Sequence, residues 1–355
     1  MRKVTRGPRV LVFGVILGGC AVLVVCRNRE TQGELLPSRI IPRAIRPALE
    51  LTDGSVPLRH PTWSPSGERI AAVSFDNNSL WLLSPKEGQA RKLVDAEGVG
   101  SAFVWCNSDR LLAYRCARWI GPRRRHLLLL LDLETGHKRA LADTAAAVSP
   151  PSSCVARGIL FFQVGDSTQV LHIARRDTTL VVEAVTWDAA EGHGPQCAAV
   201  FAVGNVLQRW VAGPALRRHD EFALEGQVLN PAISPDGSKA AYELLGSGGV
   251  WVLDFASGEK RYLGEGRSPR WSPRGDYIAC VVQKDDGIRI TQSDIVLYHW
   301  AGGAKIRVTD SADRIETDPD WHPNGDKLVY ADELTGKIYQ AELVYEPVRD
   351  DRQAN

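Results

Sequence analysis

The sequence has one methionine in 355 residues, no Cys-x-x-Cys pair and none of the common catalytic signatures. Gly-x-Ser-x-Gly, His-Glu-x-x-His, the phosphate-binding loop and the dinucleotide glycine fingerprint do not occur, so no motif points to a serine hydrolase, zinc peptidase or nucleotide enzyme. The nearest string, Gly246-Ser247-Gly248, falls where a hairpin loop belongs. The eight histidines never pair at metal-ligand spacing, and His193, in Glu191-Gly192-His193-Gly194, reads as a loop residue. No metal or cofactor is expected. Net charge is nearly absent too, at +1, but it is unevenly distributed. Residues 1–47 carry nine Lys/Arg and two Asp/Glu, and the rest carries 34 and 40. A mildly acidic body argues against nucleic acid, which needs a basic folded face.

With 44% hydrophobic and 24% charged residues the chain has the material for a core, which excludes wholesale disorder and collagen. Only one uncharged apolar run is long, Val10 to Cys26, and it follows Arg2, Lys3, Arg6 and Arg9. As a helix it would span about 25 Å, the short end of what crosses a bilayer. A basic start followed by an apolar stretch also opens an export signal. Residues 1–26 are therefore read as a signal-anchor or a lipoprotein signal, with cleavage and release as a third reading. Leu17-Gly18-Gly19-Cys20 resembles a bacterial lipobox, which makes Cys20 the candidate for lipidation. Residues 27–47, basic and containing Pro37, Pro42 and Pro47, read as a tether. The expected body is extracytoplasmic, periplasmic or at the cell surface. Of the remaining cysteines, Cys106, Cys116, Cys154, Cys197 and Cys280, one or two pairs could bridge in an oxidising space, with the pairing open. Cys280, inside Tyr277-Ile278-Ala279-Cys280-Val281-Val282, reads as a buried free thiol.

The body repeats itself. Pro61-Thr62-Trp63-Ser64-Pro65-Ser66-Gly67, Pro231-Ala232-Ile233-Ser234-Pro235-Asp236-Gly237, Pro269-Arg270-Trp271-Ser272-Pro273-Arg274-Gly275 and Pro319-Asp320-Trp321-His322-Pro323-Asn324-Gly325 each lead into a short apolar stretch. A fifth copy at Trp105 keeps the Trp and loses Pro and Gly, and two more are inferred near Val148 and Trp187. Anchors at 63, 105, 148, 187, 233, 271 and 321 have a period of four-stranded propeller blades. In each motif Pro sets φ at the second turn position and Gly accepts the positive φ that ends a tight hairpin. The Trp side chains are expected to pack between blades. Leu49-Glu50-Leu51-Thr52-Asp53 matches Val308-Thr309-Asp310, so the strand at 48–52 is expected to pair with that at 337–344 and close the ring. The fold expected is all-β, a seven-bladed β-propeller over residues 48–345 with six blades as the alternative, an N-terminal transmembrane or signal helix, and a tail at 346–355.

These motifs, with a later Val250-Trp251-Val252-Leu253-Asp254, resemble the TolB-like (WD40-like) propeller repeat. The resemblance implies the fold over residues 48–345. It does not name a function, because one fold hosts many.

Two further clusters bear on function. The acidic run Asp310, Asp313, Glu316, Asp318, Asp320 has oxygen ligands for Ca²⁺ but not the EF-hand spacing. Arg123-Arg124-Arg125 precede an apolar strand and read as guards against edge pairing, or as a contact with anionic lipid. In a propeller the innermost strands line a central channel. The residue before each motif proline should stand at the entrance to such a strand, which selects His60, Asn230, Ser268 and Asp318 as partner-binding candidates. The expectation is a membrane-tethered module, anchored through residues 10–26, that binds a protein or peptide at the funnel without catalysis. The alternative is a lyase or hydrolase acting on saccharides in the same funnel.

Overall fold

Each Pro-x-Trp-Ser-Pro-x-Gly motif folds as the hairpin between the first and second strands of one sheet. The computed structural model describes residues 40–155, 158–176, 179–184, 197–213, 216–246, 248–302 and 305–347. The apolar run 10–26, Cys20, Trp187 and His193 lie outside the described residues. Among the described residues no helix is long and apolar enough to cross a membrane.

Among the described residues twenty-seven strands, β1 to β27, form seven antiparallel sheets. The innermost strands are β2 (Leu58–Trp63), β6 (Phe103–Trp105), β10 (Ser152–Cys154), β14 (Cys197–Val203), β17 (Val228–Ile233), β21 (Arg267–Trp271) and β25 (Glu316–Trp321). They open blades 1 to 7 in that order. Six blades have four strands, and blade 4 has three among the described residues. The chain is a seven-bladed β-propeller, and the six-bladed alternative falls.

The motif works as the turn rules require. Gly67, Gly237, Gly275 and Gly325 have φ of +76°, +71°, +72° and +76°. Their N–H groups donate to the carbonyls of Ser64, Ser234, Ser272 and His322 at 2.8–2.9 Å. The motif serines Ser64, Ser234 and Ser272 are buried, and each accepts the backbone N–H five residues on. A polar turn is thereby closed inside an apolar wall.

The core lies in seven wedges, one between each pair of neighbouring blades. A second strand therefore buries both faces, which is why it reads as a continuous apolar run. In blade 1, Ile70 and Ala72 pack toward blade 7, and Ala71 and Val73 pack toward blade 2. The tryptophans cross these wedges. Trp105 Nε1 donates to Thr62 O at 3.2 Å, Trp271 Nε1 to Ala232 O at 3.0 Å and Trp321 Nε1 to Arg270 O at 3.1 Å. Each indole thus ties its blade to the innermost strand of the blade before. A disulfide, Cys154–Cys197, joins β10 to β14 across the blade 3–4 boundary with Cα atoms 5.7 Å apart. Cys106, Cys116 and Cys280 are buried free thiols.

The ring closes between its ends. β1 (Ile40–Glu50) lies beside β27 (Ile338–Pro347) as the outermost strand of blade 7. Leu51 N donates to Ile338 O at 2.8 Å, and Ile338 N to Thr52 Oγ1 at 2.9 Å. The strand runs back to Ile40, into the stretch read as tether. Pro42 and Pro47 masked it, since an edge strand tolerates the missing N–H that a central strand does not.

Of the two anchors inferred from spacing, Trp187 lies outside the described residues and Val148 precedes the first strand of its blade. Val148 bridges Val164 outside the named strands and is buried in the wedge between blades 2 and 3. The innermost strand of blade 3 begins after Pro150-Pro151, at Ser152, and that of blade 4 begins at Cys197. Neither strand carries the motif, so spacing alone placed the blade 3 anchor a few residues early.

Candidate functional site

The four motif prolines sit within innermost strands, where a residue without an N–H cannot continue the ladder. Each strand answers with a β-bulge, between Arg59 and Thr62, Leu229 and Ala232, Arg267 and Arg270, and Thr317 and Asp320. The residue before each proline turns left-handed: φ is +51° at His60, +46° at Asn230, +51° at Ser268 and +53° at Asp318. Asn, Asp and His are the non-glycine residues most often found there. The polarity of three of these positions therefore has a backbone cause, which the sequence pattern does not reveal.

The structure sorts the four into two pairs. His60 Nδ1 donates to Asp318 Oδ2 at 2.9 Å, joining blades 1 and 7. Asn230 Nδ2 and Ser268 N donate at 2.8 and 2.5 Å to the same oxygen, Glu243 Oε1, joining blades 5 and 6. Glu243 is buried, so losing it strands two donors. Glu243→Ala is expected to cost about 1–3 kcal/mol, while Glu243→Gln keeps the acceptor and costs less. Urea midpoints of the two variants check this, and equal midpoints would contradict the shared clamp.

Between the innermost strands lies a central cavity of about 540 Å³, lined by residues from all seven blades. His60, Asn230 and Asp318 line it, and Ser268 does not. Two other lining residues are charged, Arg270 and Asp320. Both hold the middle position of Pro-x-Trp, where strand alternation sends Trp into the wedge and its neighbour toward the channel. A charge just before a core Trp, in the last two motif copies, was the available signal. Among the described residues the Arg270 guanidinium makes one hydrogen bond, a long one of 3.4 Å to Pro269 O. It thus keeps donors to spare in the cavity, while its charge acts on Asp318 and Asp320.

The carboxylates differ. Burial opposes ionisation at Asp318, but the His60 hydrogen bond and charge, aided by Arg270, hold its pKa below the usual value. Asp320 Oδ2 accepts Trp63 N–H at 2.8 Å, yet burial prevails there and lifts its pKa to about 6. A folded-state pKa above the unfolded one means that the native chain binds the proton more tightly. The resulting stability is present near pH 4 and is lost as pH rises through 6. Asp320→Asn keeps an acceptor for Trp63 and should remove this slope, up to about 3 kcal/mol. Urea midpoints between pH 4 and 8 measure it, and parallel profiles for variant and wild type would rule it out.

The acidic run does not gather. Asp310 pairs with Arg307 at 2.7 Å, and Asp318 and Asp320 face the cavity. Glu316 is buried beside Ser311, and burial raises its pKa to about 7. Among the described residues no three of His, Cys, Asp or Glu cluster to hold a metal ion.

No family model matches the chain, and none of the curated proteins matches it. Solved structures do. A chain of the mitotic checkpoint complex is similar with a TM-score of 0.54 at 16% identity, over 92% of this chain and 99% of that one. The β-propeller domain of Myceliophteria thermophila Cps50 (Swd1) gives 0.52 at 12%, over 87% and 100%. A putative TolB from Agrobacterium tumefaciens gives 0.48 at 16%, over 82% and 91%. What the first two likenesses show is the fold alone.

Proposed function

We propose that this chain is a membrane-tethered, extracytoplasmic propeller that binds a peptide segment or protein partner at its central cavity and catalyses no reaction. The observation that carries the reading is the cavity, whose volume of about 540 Å³ lies in the range of ligand sites. Its wall offers a guanidinium with donors to spare at Arg270, a carboxylate of raised pKa at Asp320 and the polar bulges at His60, Asn230 and Asp318. Such a wall suits the backbone and mixed charges of a peptide. The tether rests on the apolar run 10–26 behind four basic residues. The export of the body is supported by the Cys154–Cys197 disulfide, a bond at home in oxidising compartments.

The test places a photocrosslinking residue at Asn230 or Ser101, both lining the cavity, in membranes of the producing cell, with Glu87, on an outer turn, as control. A partner crosslinked from both cavity positions and not from Glu87 is expected, and it should be lost with Arg270→Ala. Replacing His60, Asn230, Ser268 and Asp318 together should use glycine, which accepts positive φ without strain. If that variant keeps every interaction, the cavity is not the site. A stoichiometric metal in the purified protein would favour the saccharide enzyme instead.

A further inference from the structure

The order of strands gives the propeller two unlike faces. Hairpins between second and third strands share one face with the crossings from each outermost strand to the next blade. The Ser-Pro-x-Gly turns occupy the other. β1, an outermost strand, runs toward the crossing face, so the chain enters the ring from the turn face.

Among the described residues, seven of the eleven exposed large apolar side chains lie on second-to-third-strand hairpins, and hence on the crossing face. Phe75, Leu245 and Leu334 are at short tips. The rest are on two hairpins that outgrow their blades. In blade 2, β7 (Leu111–Ile120) and β8 (Arg123–Asp132) stay paired to Ile120↔Arg123. Their neighbours stop sooner: β6 last pairs at Tyr114, and β9 (Lys138–Thr144) at His126. Residues 118–125 therefore form a two-stranded arm. In blade 6, β22 (Tyr277–Asp285) and β23 (Ile290–His299) pair as far as Asp285↔Ile290, while β21 pairs only to Val281 and β24 (Ile306–Arg307) only to Val296. Blades 2 and 6 stand across the ring from each other, so the arms flank the cavity mouth.

The arms expose what soluble proteins usually cover. Trp119 is 54% exposed, Ile120 52% and Ile288 95%. On the first arm Arg118 and Arg125 share Asp143 at 3.0 and 2.6 Å. Among the described residues Arg123 and Arg124 form no ion pair. The arm therefore has surplus positive charge even with Glu97 Oε1 accepting Trp119 Nε1 at 3.0 Å, and burial together with Arg124 lowers the pKa of His126. Charge alone would serve to guard the open strand edges. A guard gains nothing from an exposed Trp-Ile pair beside it, whereas a docking surface gains its apolar anchor.

We propose that the crossing face docks an acidic protein segment bearing apolar side chains, held by the basic arm of blade 2 and by the bare Ile288 at the tip of blade 6, where Asp286 is paired with Arg289 at 3.7 Å. This rests on the reading of the propeller as a binding module, and names the partner's chemistry. Positive arginines select the acidic charge, Trp119 and Ile288 take the apolar side chains, and the bare strand edges offer hydrogen bonds to an extended chain. An anionic bilayer would meet the same charges. Its capture is the alternative outcome that the test below separates.

The test uses the full chain in phosphatidylcholine nanodiscs and an array of random peptides, graded in net charge and apolar content. Acidic apolar peptides should bind best. Arg123→Glu with Arg124→Glu should weaken them at least about tenfold and shift preference to basic peptides. Trp119→Ser with Ile120→Ser should weaken binding without altering the charge preference. Both variants should melt with wild type, the residues being exposed. No preference for acidic peptides, or one untouched by the arginine reversals, overturns the proposal. So does capture of phosphatidylserine vesicles that the reversals abolish. Loss of binding only in Arg270→Ala leaves the cavity reading standing and removes this one, and loss only in the arm variants does the reverse.

Discussion

Deleting residues 1–52 is expected to abolish the cooperative fold. The deletion removes β1 and strips β27 of its outer partner. It also takes away the Leu51–Ile338 and Thr52–Ile338 hydrogen bonds, and the Glu50 contacts to Lys337 Nζ at 3.0 Å and Tyr339 Oη at 3.3 Å. Leu51 is buried in the wedge between blades 7 and 1, and Leu51→Ala alone should cost about 2–4 kcal/mol. The truncated ring then exposes a bare ten-residue edge at β27, a template for pairing with other copies. Size-exclusion chromatography should show aggregates in place of a monomer, and a peptide of residues 40–53 added during refolding should restore part of the monomer. A truncated chain that stays monomeric and unfolds at the wild-type urea midpoint would show that closure contributes little.

Replacing both Cys154 and Cys197 with serine is expected to lower stability by about 4 kcal/mol under oxidising conditions, from the chain entropy of a loop of this length. The separation of 43 residues lies almost wholly within blade 3 and its passage to blade 4. These blades carry no copy of the Trp-Ser-Pro-Gly motif, and hence no Trp of that motif to tie one to the next. The disulfide stands where that tie is missing. Stability should fall only while wild type is oxidised, and the difference should vanish in dithiothreitol. Matching midpoints in oxidising buffer would remove the disulfide from any structural role.

The contrast between these blades explains what was legible in the sequence. Where Pro, Ser and Gly carry the turn, their backbone demands are specific enough to place a strand, and blades 1, 5, 6 and 7 were readable. In blades 3 and 4 burial alone defines the strands, and many residue choices meet that demand. Pairing of the chain ends was legible because Leu51-Thr52-Asp53 repeats the close of another blade. The candidate site was read less well. His60, Asn230 and Asp318 were found through their neighbouring prolines, but the left-handed bulge that favours such residues needs the ladder to be seen. Glu243, which holds two of the bulges, lies on a second strand, and nothing in its local sequence marks it. Arg270 and Asp320 depend on which way an innermost strand faces once bulged.

The closing contact also sets a clock. Thr52 and Ile338, 286 positions apart, leave the ribosome roughly 15–60 s apart at ordinary rates of synthesis. Throughout that interval the first-made strand has no mate within its own chain, and a neighbouring nascent copy offers an equivalent one. Rapid production should therefore yield swapped dimers, each ring completed by the other's leading strand, and slower translation or a chaperone that holds that strand should restore the single wheel.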